Sequence, residues 1–170
     1  MRKEIKKISL ASLFSALSAA LIILGGTMDL LDLTVAAVGS MLIYISMIEI
    51  KGKYPFLIYI TTSVLSFIFV PMTTSALYYV AFFGYFPIIR YRIKKLGKVI
   101  SKIICIGIFN VSMILLFLLF KAVFAMQNEP MYMYVILLVT SNIFYLCFDY
   151  ALDVFAFIYI TKIRKKLNLK

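Results

Sequence analysis

Histidine is absent from the 170 residues, and acidic residues number only 7. Without an imidazole, a serine or cysteine nucleophile has no ready base. The chain also lacks a phosphate-cradling glycine loop and a zinc-ligand cluster, so it is not expected to be an enzyme or to carry a metal or other cofactor. Its 2 cysteines, Cys105 and Cys147, both fall inside apolar runs, which argues against a disulfide framework. Charge of either sign is scarce, at 15% of residues against 64% hydrophobic. A single soluble domain cannot hide so much apolar surface, and lipid is the natural solvent for the excess.

What is present is a pattern of long apolar runs separated by short charged clusters. Six runs are legible: Ile8 to Leu24, Leu33 to Ile50, Tyr54 to Val70, about Ser75 to Ile89, Ile103 to Phe120, and Met131 to Ile160. A hydrocarbon core of about 30 Å needs about 20 helical residues, so the first five are short to adequate and the sixth must tilt, kink or protrude. The runs are apolar on every face, whereas barrel strands alternate. The expected fold is therefore all-α, a single domain over 1–170, and the tight connections predict a compact bundle of six transmembrane helices.

Lysine and arginine set the direction. Arg2, Lys3, Lys6 and Lys7 precede the first run, and Lys51 and Lys53 follow the second. Arg90, Arg92, Lys94, Lys95, Lys98 and Lys102 separate the fourth from the fifth, and Lys162, Arg164, Lys165, Lys166 and Lys170 end the chain. All lie on one side of a six-span path and only Lys121 lies on the other, so both termini are expected in the cytoplasm. The net charge of +11 then faces lipid phosphates rather than nucleic acid. Small residues precede Leu21-Ile22-Ile23-Leu24 instead of following it, the wrong order for signal cleavage, so the first run is read as a span.

The connections carry their own expectations. Gly25 to Asp32 is read as the first outer loop, Pro71 to Thr74 as the second and Lys121 to Pro130 as the third. On the inner side, Ile93, Leu96, Val99 and Ile100 sit at helical spacing among the basic residues of Arg90 to Lys102, which predicts a short helix lying on anionic lipid or offering a docking surface.

In the first run, Ser12, Ala16 and Ala20 form one column at four-residue spacing, and Ala11, Ser15 and Ala19 form the next. Such smooth stripes let helices approach closely in lipid, either within the bundle or against another membrane subunit. With this length, six runs, cytoplasmic termini, a basic start and the Ala16-x-x-x-Ala20 spacing, the chain resembles the substrate-binding S components of energy-coupling factor transporters. That resemblance implies a bacterial plasma-membrane protein whose first helix meets a transmembrane coupling subunit, with ATPases in trans. It also implies that the outward half of the bundle holds a small, vitamin-like molecule; the lack of histidine argues against the metal-binding members. The same topology also resembles the small six-span rod-shape proteins, which serve as scaffolds for wall synthesis.

Polar residues inside the runs are the remaining candidates, because each is costly in lipid unless it faces the bundle or a cavity. Ser40, Thr61, Thr62, Ser63, Ser112, Thr140 and Ser141 can bond back to their own helix and so say little. Asn110 and Asn142 cannot hide so easily and are expected to join two helices or touch a ligand. Asp149 and Asp153 are four apart on one helical face, like the D-x-x-x-D part of the CDP-alcohol phosphotransferase signature. The upstream elements of that signature are missing, and a buried ion pair with Arg90, Arg92 or another basic residue is expected instead. Tyr78, Tyr79, Tyr132 and Tyr134 read as an interfacial belt. If the outer half is a pocket, these rings would wall it and Asp29, Asp32 and Glu129 would supply charge, favouring a neutral or cationic ligand.

Overall fold

The protein, described by a computed structural model over residues 2–28, 32–50, 52–71, 73–94, 97–124 and 131–164, is helical in every described element. Its chain divides at Arg92 into two compact units. The N-terminal unit contains α1 (Arg2–Met28), α2 (Asp32–Glu49), α3 (Tyr54–Phe69), a short α4 (Thr74–Tyr78), a π-helical turn (Tyr79–Phe83) and α5 (Phe86–Ile93). The C-terminal unit contains α6 (Lys98–Phe124) and α7 (Met131–Ile158), which runs into a second π-helical turn (Tyr159–Ile163).

Four stretches are long and apolar enough to cross a membrane: Glu4–Thr27, Asp32–Glu49, Val99–Ala122 and Val135–Lys162. The protein is thus compatible with a multi-pass membrane protein. Helix α3 is apolar but has only 16 residues, a reach of about 24 Å. The expected fourth span over 75–89 is not one regular helix, because the π-helical turn interrupts it.

Local chemistry explains most of the boundaries. Asp32 puts a carboxylate in the first turn of α2, where the helix dipole favours negative charge. Gly52 takes φ +75° in the turn before α3, and Pro55 then sits in that helix's first turn, where its missing N–H costs nothing. Pro71 follows the last residues of α3 and disfavours helical geometry in the residue before it; Val70 is at φ −135°.

Two expected connections are corrected. Gly25 and Gly26 do not open a loop but continue α1, because their missing side chains let neighbours close in. A Cβ on Gly25 would lie 2.9 Å from Val35 of α2, and one on Gly26 would lie 3.0 Å from Ser75 and Thr73. Among the described residues, the helix expected over 90–102 is divided: Ile93 ends α5, Gly97 has φ +106°, and Val99 and Ile100 belong to the first turn of α6. Their apolar side chains therefore fall on two helices, while Leu96 lies outside the described residues.

Buried residues follow helical spacing within each element. Ala11, Ser15, Ser18, Ala19 and Ile22 line the inner face of α1, and Ile58, Thr62 and Ser66 line that of α3. In α6 the buried set is Ser101, Cys105, Phe109, Ser112 and Leu116.

Candidate functional site

The two columns of small residues on α1 separate onto different faces. Ala11, Ser15 and Ala19 are buried inside the N-terminal unit, whereas Ser12, Ala16 and Ala20 are exposed. Of the six small residues singled out in sequence, half are packed inside this unit and half form a smooth outer surface. Beside that surface runs a groove of about 380 Å³ between α1 and α3, walled by Ser12, Ala16, Leu57, Thr61 and Leu65 among others. At one end lie Ile8 and Tyr54. The Tyr54 hydroxyl donates to Glu4, which also pairs with Lys7 at 2.7 Å, so a small polar cluster marks the basic end of the groove.

Near the other end of this unit lie two of the acidic and tyrosine candidates, Asp32 and Tyr78. Asp32 begins α2, with its Oδ1 atom buried and without a hydrogen-bond partner among the described residues. The Tyr78 phenol, on α4, lies within Coulombic reach of that carboxylate. Thr73 and Ser75 add hydroxyls 3.5 Å apart, and Ser75 reaches the Ile22 carbonyl of α1 at 3.4 Å. Of the residues expected at an outer pocket, Asp32 and Tyr78 are the two that interact electrostatically here. Asp29 and Glu129 lie outside the described residues.

Tyr79 does not share that end of the unit. It is completely buried, with its ring against Gly39 of α2, where an added Cβ would lie 3.2 Å away, and near Ile22 of α1. It is a core residue and not a belt tyrosine. The turn that buries it is held by residues that sequence reasoning passed over. Tyr59 of α3 donates its hydroxyl to the Val80 carbonyl at 3.0 Å, satisfying a backbone group in the irregular stretch, and Gly84 leaves the space in which the Tyr59 ring sits. The signal, a lone glycine among Phe82, Phe83, Tyr85 and Phe86, was in the sequence, but its partner 25 positions earlier was not.

Comparison with protein-family models, with curated proteins and with solved structures finds no match.

In the C-terminal unit the amides of Asn110 and Asn142 are committed to each other. Asn110 Nδ2 donates to Asn142 Oδ1 at 3.1 Å, and Asn142 Nδ2 donates to Asn110 Oδ1 at 2.9 Å. Each also donates to a carbonyl of its own helix, Ile106 at 2.9 Å and Leu138 at 2.8 Å. Both amides are well supplied, so of the two roles expected for them the structure displays the helix-joining one. Phe109, next to Asn110, stacks on Tyr145, about one turn after Asn142, with ring centroids 4.8 Å apart.

The acidic pair of α7 also differs from its expected form. Asp153 pairs with Lys94 at 2.6 Å, and both side chains are roughly half exposed, so this ion pair is not a buried one. Asp149 is partly buried. Arg90 is buried within the N-terminal unit and Arg92 is exposed. Tyr132 is an exposed ring at the start of α7, as a belt residue would be.

Proposed function

We propose that this protein is the membrane-embedded substrate-binding subunit of a small-molecule uptake system, docking to a membrane coupling subunit through α1 and performing no catalysis itself. With the basic ends placed in the cytoplasm by the positive-inside rule, the Asp32–Tyr78 pole faces outward, and ATP hydrolysis is left to partners. The observation that carries the reading is the exposure of Ser12, Ala16 and Ala20 beside an apolar groove. A small-residue stripe on the outer face has no packing role within the unit, and in lipid such a surface gains association energy only when another helix reaches it. At the pole, a carboxylate oxygen without a partner next to a phenol favours a neutral or cationic ligand over an anion.

One observation favours the alternative, a non-transporting scaffold of the cell envelope. The 380 Å³ groove lies on the α1–α3 face and not at the tyrosine pole, so it suits a helix better than a solute.

The test is to purify the tagged chain from native membranes and identify co-purifying small molecules and proteins by mass spectrometry, for the unaltered chain and for the double variant Ala16→Leu/Ala20→Leu. Uptake predicts a small molecule and a membrane partner, with the partner lost in the variant while its monomer melts normally. Repeated purification without any small molecule or ATPase partner leaves the scaffold reading standing. Loss of the folded monomer in the variant would show that the stripe is internal packing.

A further inference from the structure

Serine and threonine in this protein mostly bond back to their own helix. Ser12, Ser15, Ser40, Ser46, Ser63 and Ser112 all donate to a carbonyl three or four residues earlier, at 2.7 to 3.1 Å. Ser18 of α1 and Ser66 of α3 do not. Both residues are completely buried, and neither hydroxyl has a hydrogen-bond partner among the described residues. The Tyr79 hydroxyl, equally buried, has no partner of good hydrogen-bond geometry among the described residues and interacts with the Thr62 side chain.

Ser18 and Ser66 lie on the inner faces of α1 and α3. The Thr62 hydroxyl reaches the Ser15 carbonyl at 3.4 Å, which fixes the register between α1 and α3. Those helices run parallel, since each is antiparallel to α2 through a short connection, so one turn further along each places Ser18 opposite Ser66. Tyr79, in the π-helical turn, packs against Gly39 of α2, where an added Cβ would also meet Ile22, one turn from Ser18; its hydroxyl interacts with Thr62 of α3. Three neighbouring helical segments thus bury hydroxyls that lack well-formed hydrogen bonds among the described residues, and each unmet bond is expensive.

We propose that Ser18, Ser66 and Tyr79, with Thr62 beside them, form an internal binding site for water, one or two molecules bridging α1, α3 and the π-helical turn. The argument is a count of donors and acceptors. A bound water makes about 2–4 hydrogen bonds to groups that otherwise have none, and hydroxyls from separate helices offer both donors and acceptors. A metal cation would find oxygen ligands here too, but no carboxylate belongs to the cluster, and an uncompensated charge costs far more to bury than an unpaired hydroxyl. Water is the occupant the energetics favour. Its bridging would tie the irregular turn to α1 and α3 and would act independently of any ligand at the Asp32 pole.

The test uses the full chain in detergent or nanodiscs, with Ser18→Ala, Ser66→Ala and Tyr79→Phe made singly and together, each removing one oxygen. If water bridges the three, each single variant strips a partner from the others and lowers the melting midpoint by about 2–8 °C, and the triple variant loses less than the sum. If the hydroxyls are merely unpaired, each single variant relieves a burial penalty and raises the midpoint, which overturns the proposal. A midpoint that rises with sodium or potassium, but not with choline at equal ionic strength, overturns it in favour of an ion. Density within hydrogen-bonding distance of all three oxygens in a map that resolves solvent would confirm the site directly, and direct hydroxyl-to-hydroxyl contacts with no such density would refute it.

Discussion

In the N-terminal unit helices meet through glycine, alanine and serine, so backbones come close enough that a Cβ added at Gly39 would sit 3.2 Å from the Tyr79 ring. In the C-terminal unit α6 and α7 meet through large groups, with Phe109 stacked on Tyr145 and Asn110 bonded reciprocally to Asn142. The helices of both units are apolar throughout, and in lipid that quality cannot choose between them, because acyl chains solvate leucine as well as another leucine does. What the difference teaches is that association needs a second device. One unit uses steric fit with a hydroxyl-rich interior, and the other uses paired amides and a ring stack.

The sharpest way to break the first device is Gly84→Val. A side chain there collides with the Tyr59 ring and comes within 3.0 Å of Tyr79 at the first carbon. Overpacking of this kind costs about 1–3 kcal/mol or more, so a clear drop in the melting midpoint is expected, with tyrosine fluorescence of the Tyr59–Tyr79–Tyr85 cluster altered. Replacing Tyr59 with Phe removes only the bond to Val80 and should cost less, about 0.5–1.5 kcal/mol by the same melt.

The two columns of α1 offer an internal control. Ala19 is buried and Ala16 exposed, so Ala19→Leu should destabilise by about 1–3 kcal/mol whereas Ala16→Leu should stay within about 0.5 kcal/mol. Equal effects from the two would erase the distinction between packing face and outer face.

Asn110 and Asn142 test the second device. Either asparagine changed to leucine leaves the other amide short of a partner, at a cost of about 1–2 kcal/mol, and the double variant should recover part of the loss. A double-mutant cycle without coupling would mean that the ring stack holds α6 to α7 alone. The smallest effect belongs to Lys94→Ala. Its ion pair with Asp153 is about half exposed, so no more than about 1 kcal/mol is expected, fading as salt is added.

Several of these partners were out of reach of one-dimensional reading. Asn110 and Asn142 were legible as costly groups needing a partner, because an amide in an apolar run stands out wherever it is. That the two would satisfy each other depends on the register of α6 against α7, which no local pattern encodes. Ser12, Ala16 and Ala20 were legible as a column, but Ala11, Ser15 and Ala19 form an equally good one. Only the way α2 and α3 pack on α1, the latter marked by the Thr62–Ser15 contact, decides which column is buried. Asp153 was read as needing a basic partner, yet the choice of Lys94 rests on where α5 stops and α6 begins. Gly25 and Gly26 were read as loop formers because glycine punctuates most helices; here tight neighbours keep them helical.

By itself the sequence determined the helical class and the sites of the long apolar elements, because hydropathy and the cost of unpaired backbone in lipid act on each segment separately. It also showed that the lysines and arginines cluster in the segments between and beside the apolar runs, a property of connections alone. Tertiary structure decided which face of α1 is inside, why the path from 74 to 93 passes through a π-helical turn, and which hydroxyls are left in the interior. These depend on distances between residues far apart in the chain, set by the fit of Tyr59 to Gly84 and Tyr79 to Gly39, and no segment holds both halves of such a fit.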